Sequence, residues 1–153
     1  MAKGLGENKM YPLVKMAAIA AVLASAAPAL AEIGRVKSNI GAASVNRAGR
    51  PVAVAPGVQL EPGDVLVTGR DGRMGVTFVD GTRFAVGPNS RVTLTTFQFD
   101  RTRQTGSFVT SVDRGTLGVV SGQIAKSRRD AMRVRTPTSM LGVRGTRFVV
   151  EVP

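Results

Sequence analysis

Turn signals recur along this chain at an almost constant interval, and that spacing restricts the fold more than any other feature. Ala48-Gly49-Arg50-Pro51, Pro56-Gly57, Pro62-Gly63-Asp64, Asp71-Gly72, Asp80-Gly81, Gly87-Pro88-Asn89-Ser90, Asp113-Arg114-Gly115 and Ser121-Gly122 punctuate short apolar runs. Glycine supplies positive φ and proline fixes φ and withholds a donor, so each cluster ends a regular element. Between them lie runs of about four to six residues, as in Val65–Thr68, Met74–Val79 and Thr116–Val120, with alternation of period two at Met74, Val76 and Phe78. Such spacing predicts an all-β domain, either a compact sandwich or a short β-solenoid. Beyond the N-terminal leader, no stretch of helical period is long enough to compete. Gly122–Ala131 is the one weak candidate, too charged to bury a face.

Two stretches read nearly alike. Val79-Asp80-Gly81-Thr82-Arg83-Phe84-Ala85-Val86 and Val143-Arg144-Gly145-Thr146-Arg147-Phe148-Val149-Val150 share Val, Gly, Thr, Arg, Phe and Val at matching places. The expectation is two copies of one strand-turn-strand unit that pack equivalently. Asp80-Gly81 predicts a two-residue hairpin loop. The apolar positions change parity between Leu94 and Phe97, which predicts a bulge. Asp113-Arg114-Gly115 predicts a turn between two strands.

The first residues follow a different rule. Lys3, Lys9 and Lys15 precede an uncharged run from Met16 to Ala27, and Ala29-Leu30-Ala31 has the small-x-small form that a signal peptidase reads. Residues 1–31 are therefore read as a helical signal peptide cleaved after Ala31. Residues 32–153 are read as one exported domain, periplasmic or extracellular. An uncleaved anchor is the alternative, disfavoured because the run is shorter than the roughly 20 residues of a bilayer span. Later apolar runs are too short to cross, so contact with a membrane would be peripheral at most.

Composition removes several chemistries. The chain has no cysteine and no histidine. Disulfides and thiol catalysis are excluded, and so is a serine nucleophile with a histidine base. Aspartates stand beside glycine or arginine in turns, where they bond local amides. No loop is acidic enough for a calcium site. A metal, a cofactor and an enzymatic role are not expected. Without the leader's three lysines and one glutamate, the net charge of +11 becomes +9, with arginine the predominant cation. That balance fits an anionic partner or a solvated strand face. Phe78, Phe84, Phe97, Phe99, Phe108 and Phe148 lie among alternating valines and leucines and are read as core, which argues against stacking on nucleic acid.

Six motifs occur in order: Gly63-Asp64-Val65 with Thr68-Gly69; Phe78-Val79-Asp80-Gly81-Thr82; Gly87-Pro88-Asn89-Ser90; Arg114-Gly115-Thr116 with Ser121-Gly122; Thr136-Pro137; and Val143-Arg144-Gly145-Thr146-Arg147-Phe148. Together they resemble a FecR domain, the exported signal-sensing module of bacterial iron-transport regulators and related proteins. The resemblance implies a mostly-β domain that senses state by touching another envelope protein. Full regulators of that kind carry a cytoplasmic anti-sigma segment before a transmembrane helix. With 15 residues ahead of the apolar leader, that segment is not expected here.

The residues singled out for binding are Arg83, Arg144, Gly145, Thr146 and Arg147, because paired guanidinium forks beside a glycine turn suit a carboxylate or phosphate. The expected function is non-enzymatic recognition of another envelope protein through a strand edge and these turns. The alternative is a cationic binder of an anionic envelope polymer or lipid phosphate.

Overall fold

A computed structural model describes residues 31–145 and 147–153. The leader at 1–30 and Thr146 lie outside the described residues. Among the described residues twelve strands and one short helix follow one another. These are β1 (Gly34–Ile40), β2 (Ala43–Arg47), β3 (Arg50–Ala53), β4 (Gln59–Leu60), β5 (Val65–Thr68), β6 (Arg73–Phe78), β7 (Arg83–Val86), β8 (Arg91–Asp100), β9 (Thr105–Val120), α1 (Gln123–Ser127), β10 (Met132–Arg135), β11 (Met140–Val143) and β12 (Arg147–Val152). The chain is mostly β, as the turn spacing predicts.

All strands belong to one sheet, ordered β3-β2-β5-β8-β9-β7-β6-β1-β4, with β10, β11 and β12 branching from β9. Pairing is antiparallel throughout except between β9 and β10. The sheet curls so that two layers face each other. The first half of β9 lies between β8 and β10, and its second half lies between β7 and β12. Apolar side chains of both layers meet in one core. At its centre Phe108 of β9 is fully buried and lies 4.8 Å from the rings of both Phe78 and Phe97. Phe84 is 4.7 Å from Phe78, edge to face. Phe78, Phe84, Phe97 and Phe108 are thus core as expected, whereas Phe99 and Phe148 are half-buried against it.

The bulge expected in β8 is present, as a register shift between Leu94 and Thr96. Three expectations are corrected. First, Asp113-Arg114-Gly115 does not separate two strands, because β9 runs straight through it. Gly115 adopts φ +91° there, and a Cβ on it would overlap the Cα and Oγ of Ser90. The residue bends one strand between layers. Second, the loop between β6 and β7 is longer than two residues. Phe78 and Gly81 close a turn with a backbone bond of 3.0 Å, and of the pair Asp80-Gly81 only the glycine has positive φ. The reason is that Asp80 faces inward, as described below. Third, Gly122–Ala131 holds a short helix, α1, which buries Ile124 and Ala125 despite its charged neighbours.

Ser90 and Thr68 pin the bend in β9. The amide of Ser90 donates to Thr68 Oγ1 at 3.0 Å, and the amide of Thr116 donates to Ser90 Oγ at 2.9 Å. Replacing Gly115 by alanine is expected to cost about 3 kcal/mol, from the steric overlap together with a positive φ. Gly57→Ala provides the control. Its φ of +96° is similar but its Cβ would meet open space, so about 1 kcal/mol is expected. Urea unfolding followed by circular dichroism measures both.

Candidate functional site

The two similar stretches hold equivalent places on the two sides of β9. Arg83 of β7 and Arg147 of β12 both lie opposite Val120, Phe84 and Phe148 opposite Val119, and Val86 and Val150 opposite Leu117. Directly opposed residues of an antiparallel pair project to one face. Arg83, Val120 and Arg147 therefore share the outer face, while Phe84, Val119 and Phe148 turn toward the core.

The turns that precede these strands differ. In the first copy Asp80 is 3% exposed, and its carboxylate accepts the amide of Thr82 at 3.0 Å, the hydroxyl of Thr82 at 2.8 Å and the amide of Ile124 at 3.2 Å. Thr82 Oγ1 in turn accepts the amide of Gly122. This knot ties the β6–β7 turn to the start of α1. In the second copy the matching residue is Arg144, which is exposed, as is Gly145 with φ +58°. Lys126 of α1 lies beside Gly145. The first copy's turn is structural and the second is presented to solvent.

Following the register across the outer layer extends the arginine pair. Arg35 of β1 lies opposite Thr77, Thr77 opposite Arg83, Arg83 opposite Val120, and Val120 opposite Arg147. Alternate strands of a sheet are about 10 Å apart, so the three guanidinium stems stand at regular intervals on one face. Arg35 is also paired with Glu32, which holds the Glu32 carboxyl below its usual range. One step along the strands the next row is nearly bare: Gly75, Ala85 and Gly118 lie side by side, ended by Val149. The result is a shallow furrow flanked by arginines.

The layer edges give the second element of the site. Among the described residues, β3, β4, β11 and β12 each pair on one side only. Free strand edges invite pairing with another chain unless they are short, charged or interrupted by proline. The strand β3 contains Pro51, β4 has two residues, and β11 has four including Gly142. By contrast, β12 has six residues and neither glycine nor proline. Among the described residues four large hydrophobic side chains are exposed, and three belong to these last two strands: Met140, Leu141 and Val149. A cleft lined by Leu141, Val143, Phe148 and Val150 runs between β11 and β12, rimmed by Arg144.

Of the residues singled out from sequence, Arg83 and Arg147 are brought together on one face. Arg144 and Gly145 form the adjoining turn, and Thr146 lies outside the described residues. The sequence alone does not single out Arg35, Lys126, Leu141 and Val149, since strand register places Arg35 and Val149 here and tertiary packing brings Lys126 and Leu141. Among the described residues, no three acidic side chains gather into a metal-binding group.

A family model for the FecR protein matches residues 64–152, well over half of the chain, and the chain belongs to the FecR family. The motifs of the match converge on the knots just described, around Asp80, Thr82 and Gly122 and around Thr68, Ser90 and Gly115. No curated protein and no solved structure matches it.

The two copies should differ sharply when mutated. Asp80→Ala strands buried amides and is expected to cost about 3 kcal/mol. Arg144→Ala and Arg83→Ala, both exposed, should change stability by no more than about 0.5 kcal/mol. Thermal unfolding of the three variants measures the contrast.

Proposed function

We propose that this FecR domain is a non-enzymatic recognition module of the bacterial envelope, exported by its leader and engaging another protein through β12. The carrying observation is the open edge of β12 beside exposed Leu141 and Val149; of the four described strands that pair on one side only, it alone is neither short nor broken by glycine or proline. A strand added to β12 would gain main-chain hydrogen bonds, and the β11–β12 cleft would take its side chains. Arg144 and Arg147 at the rim would favour an acidic segment and speed its approach. Family membership supports a signal-sensing role for such a contact.

A second reading rests on the row Arg35, Arg83 and Arg147 over the bare furrow. There the ligand is an anionic envelope polymer or lipid phosphate lying across the strands. Salt separates the two, because exposed charge pairs are screened over about 8 Å at physiological ionic strength, whereas apolar burial is not.

The test is capture from envelope extract by the full chain, purified as its host processes it, with low- and high-salt washes. One protein retained at high salt, and reduced at least tenfold by Val149→Lys, is the expected outcome. Glycan or lipid released by salt and lost with Arg83→Glu would establish the second reading instead. Retention of nothing would overturn both.

A further inference from the structure

From the pattern of β12 we infer that a second copy of this chain pairs with it, edge to edge and antiparallel, about a two-fold axis at Val149. The inference rests on the reading of β12 as a pairing edge and names an occupant for it. A two-fold axis perpendicular to the sheet keeps outer faces outward, so residues that meet across it must both be outer or both be inner. The outer residues of β12 are Arg147, Val149 and Glu151, opposite Val120, Gly118 and Thr116 of β9. Centring on Val149 places Val149 against its own copy and Arg147 against Glu151 of the other chain, twice. On the inner face Phe148 meets Val150, again twice.

The neighbouring registers lack this match. Centring on Phe148 sets Arg147 opposite Val149, and centring on Val150 sets Glu151 opposite Val149. Each leaves a charge facing a valine. The Val149 register also accounts for particular features of the strand. Val149 is 69% exposed in the single chain, the highest value among the large hydrophobics of the described residues, and the axis covers it. Glu151 forms no ion pair among the described residues, although the chain is strongly basic. A guanidinium has five donors, so Arg147 can take a carboxylate across the axis in addition to contacts within its own chain. Strand addition would extend the outer layer of each copy into one sheet through the dimer and cover the cleft beside Leu141 and Phe148. A partner protein and a second copy would then compete for one edge.

Sedimentation analysis of the full chain, as its host processes it, tests the inference through charge exchange. Wild type is expected to be a dimer. Arg147→Glu and Glu151→Arg each set like charges against each other at both ends of the strand pair, and should weaken the dimer about tenfold or more. The double variant R147E/E151R should recover it. Mixing the two single variants should give a heterodimer, because opposite charges then face each other at both ends. Both side chains are exposed, and unchanged circular dichroism and melting would show that folding is intact. If a single variant fails to fold, Val149→Lys, which sets two lysines on the axis, reports in its place. A monomeric wild type, a dimer indifferent to the single substitutions, or a mixture that does not associate would each overturn the inference. Capture of another protein is a separate readout, scored by what the extract yields rather than by sedimentation, so a monomeric chain that still captures one overturns this inference alone.

Discussion

Strand β9 has strand partners on both sides at Phe108–Ser111 and again at Leu117–Val120, and the arrangement of the other strands follows from that. An extended strand of 16 residues is too long for one layer of so small a domain. It therefore bends, and the bend requires a backbone conformation that a side chain would obstruct. Gly115 meets that need, while Ser90 Oγ takes up the amide of Thr116 just beyond it and Thr68 holds Ser90 in place. Beyond Gly115 the strand offers two edges to nearly identical sequences, and each binds in the same register. Phe84 and Phe148 both reach inward at Val119, one fully buried and the other partly, because only the first copy has further strands beside it.

Equivalent backbone positions thus carry different duties. In the inner copy an aspartate turns into the protein and satisfies amides of its own turn and of α1. A buried carboxylate with several donors is stable, and removal of any partner leaves an uncompensated polar group. In the outer copy an arginine stands at the same place and faces water. The inner turn cannot vary without loss of stability, whereas the outer one is free to serve recognition.

The all-β class, the bulge in β8, the core phenylalanines and the equivalence of the two copies were all readable from period and turn chemistry. These properties are local, or nearly so. The bend at Gly115 has the local signature of a turn, because a glycine between polar residues looks alike in either case, and only the partner strands on either side of it keep the strand continuous. Asp80 was misjudged for a related reason. Asp-Gly predicts a tight hairpin when the aspartate is solvated, but here the amide of Ile124, far along the chain, draws it inward. The site divides in the same way. Arg83 and Arg147 are visible as a repeated motif, whereas Arg35 joins them only through cross-strand register and Lys126 only through the approach of α1 to Gly145.

Edge strands are where a β domain must choose between solitude and partnership. Three of the edges here use a device against pairing: brevity in β4, Pro51 in β3, a short run with Gly142 in β11. On β12 the charges are of opposite sign and spaced by four residues around a valine. Like charges on that face would repel a second copy, and a lone lysine at Val149 would leave a buried charge in any added strand. Arg147 and Glu151 do neither. An antiparallel strand reverses their order, so each charge meets its opposite. The feature that would protect an edge if the signs agreed instead makes this one complementary to itself, and leaves it open to an acidic-to-basic strand of any other protein with the same spacing.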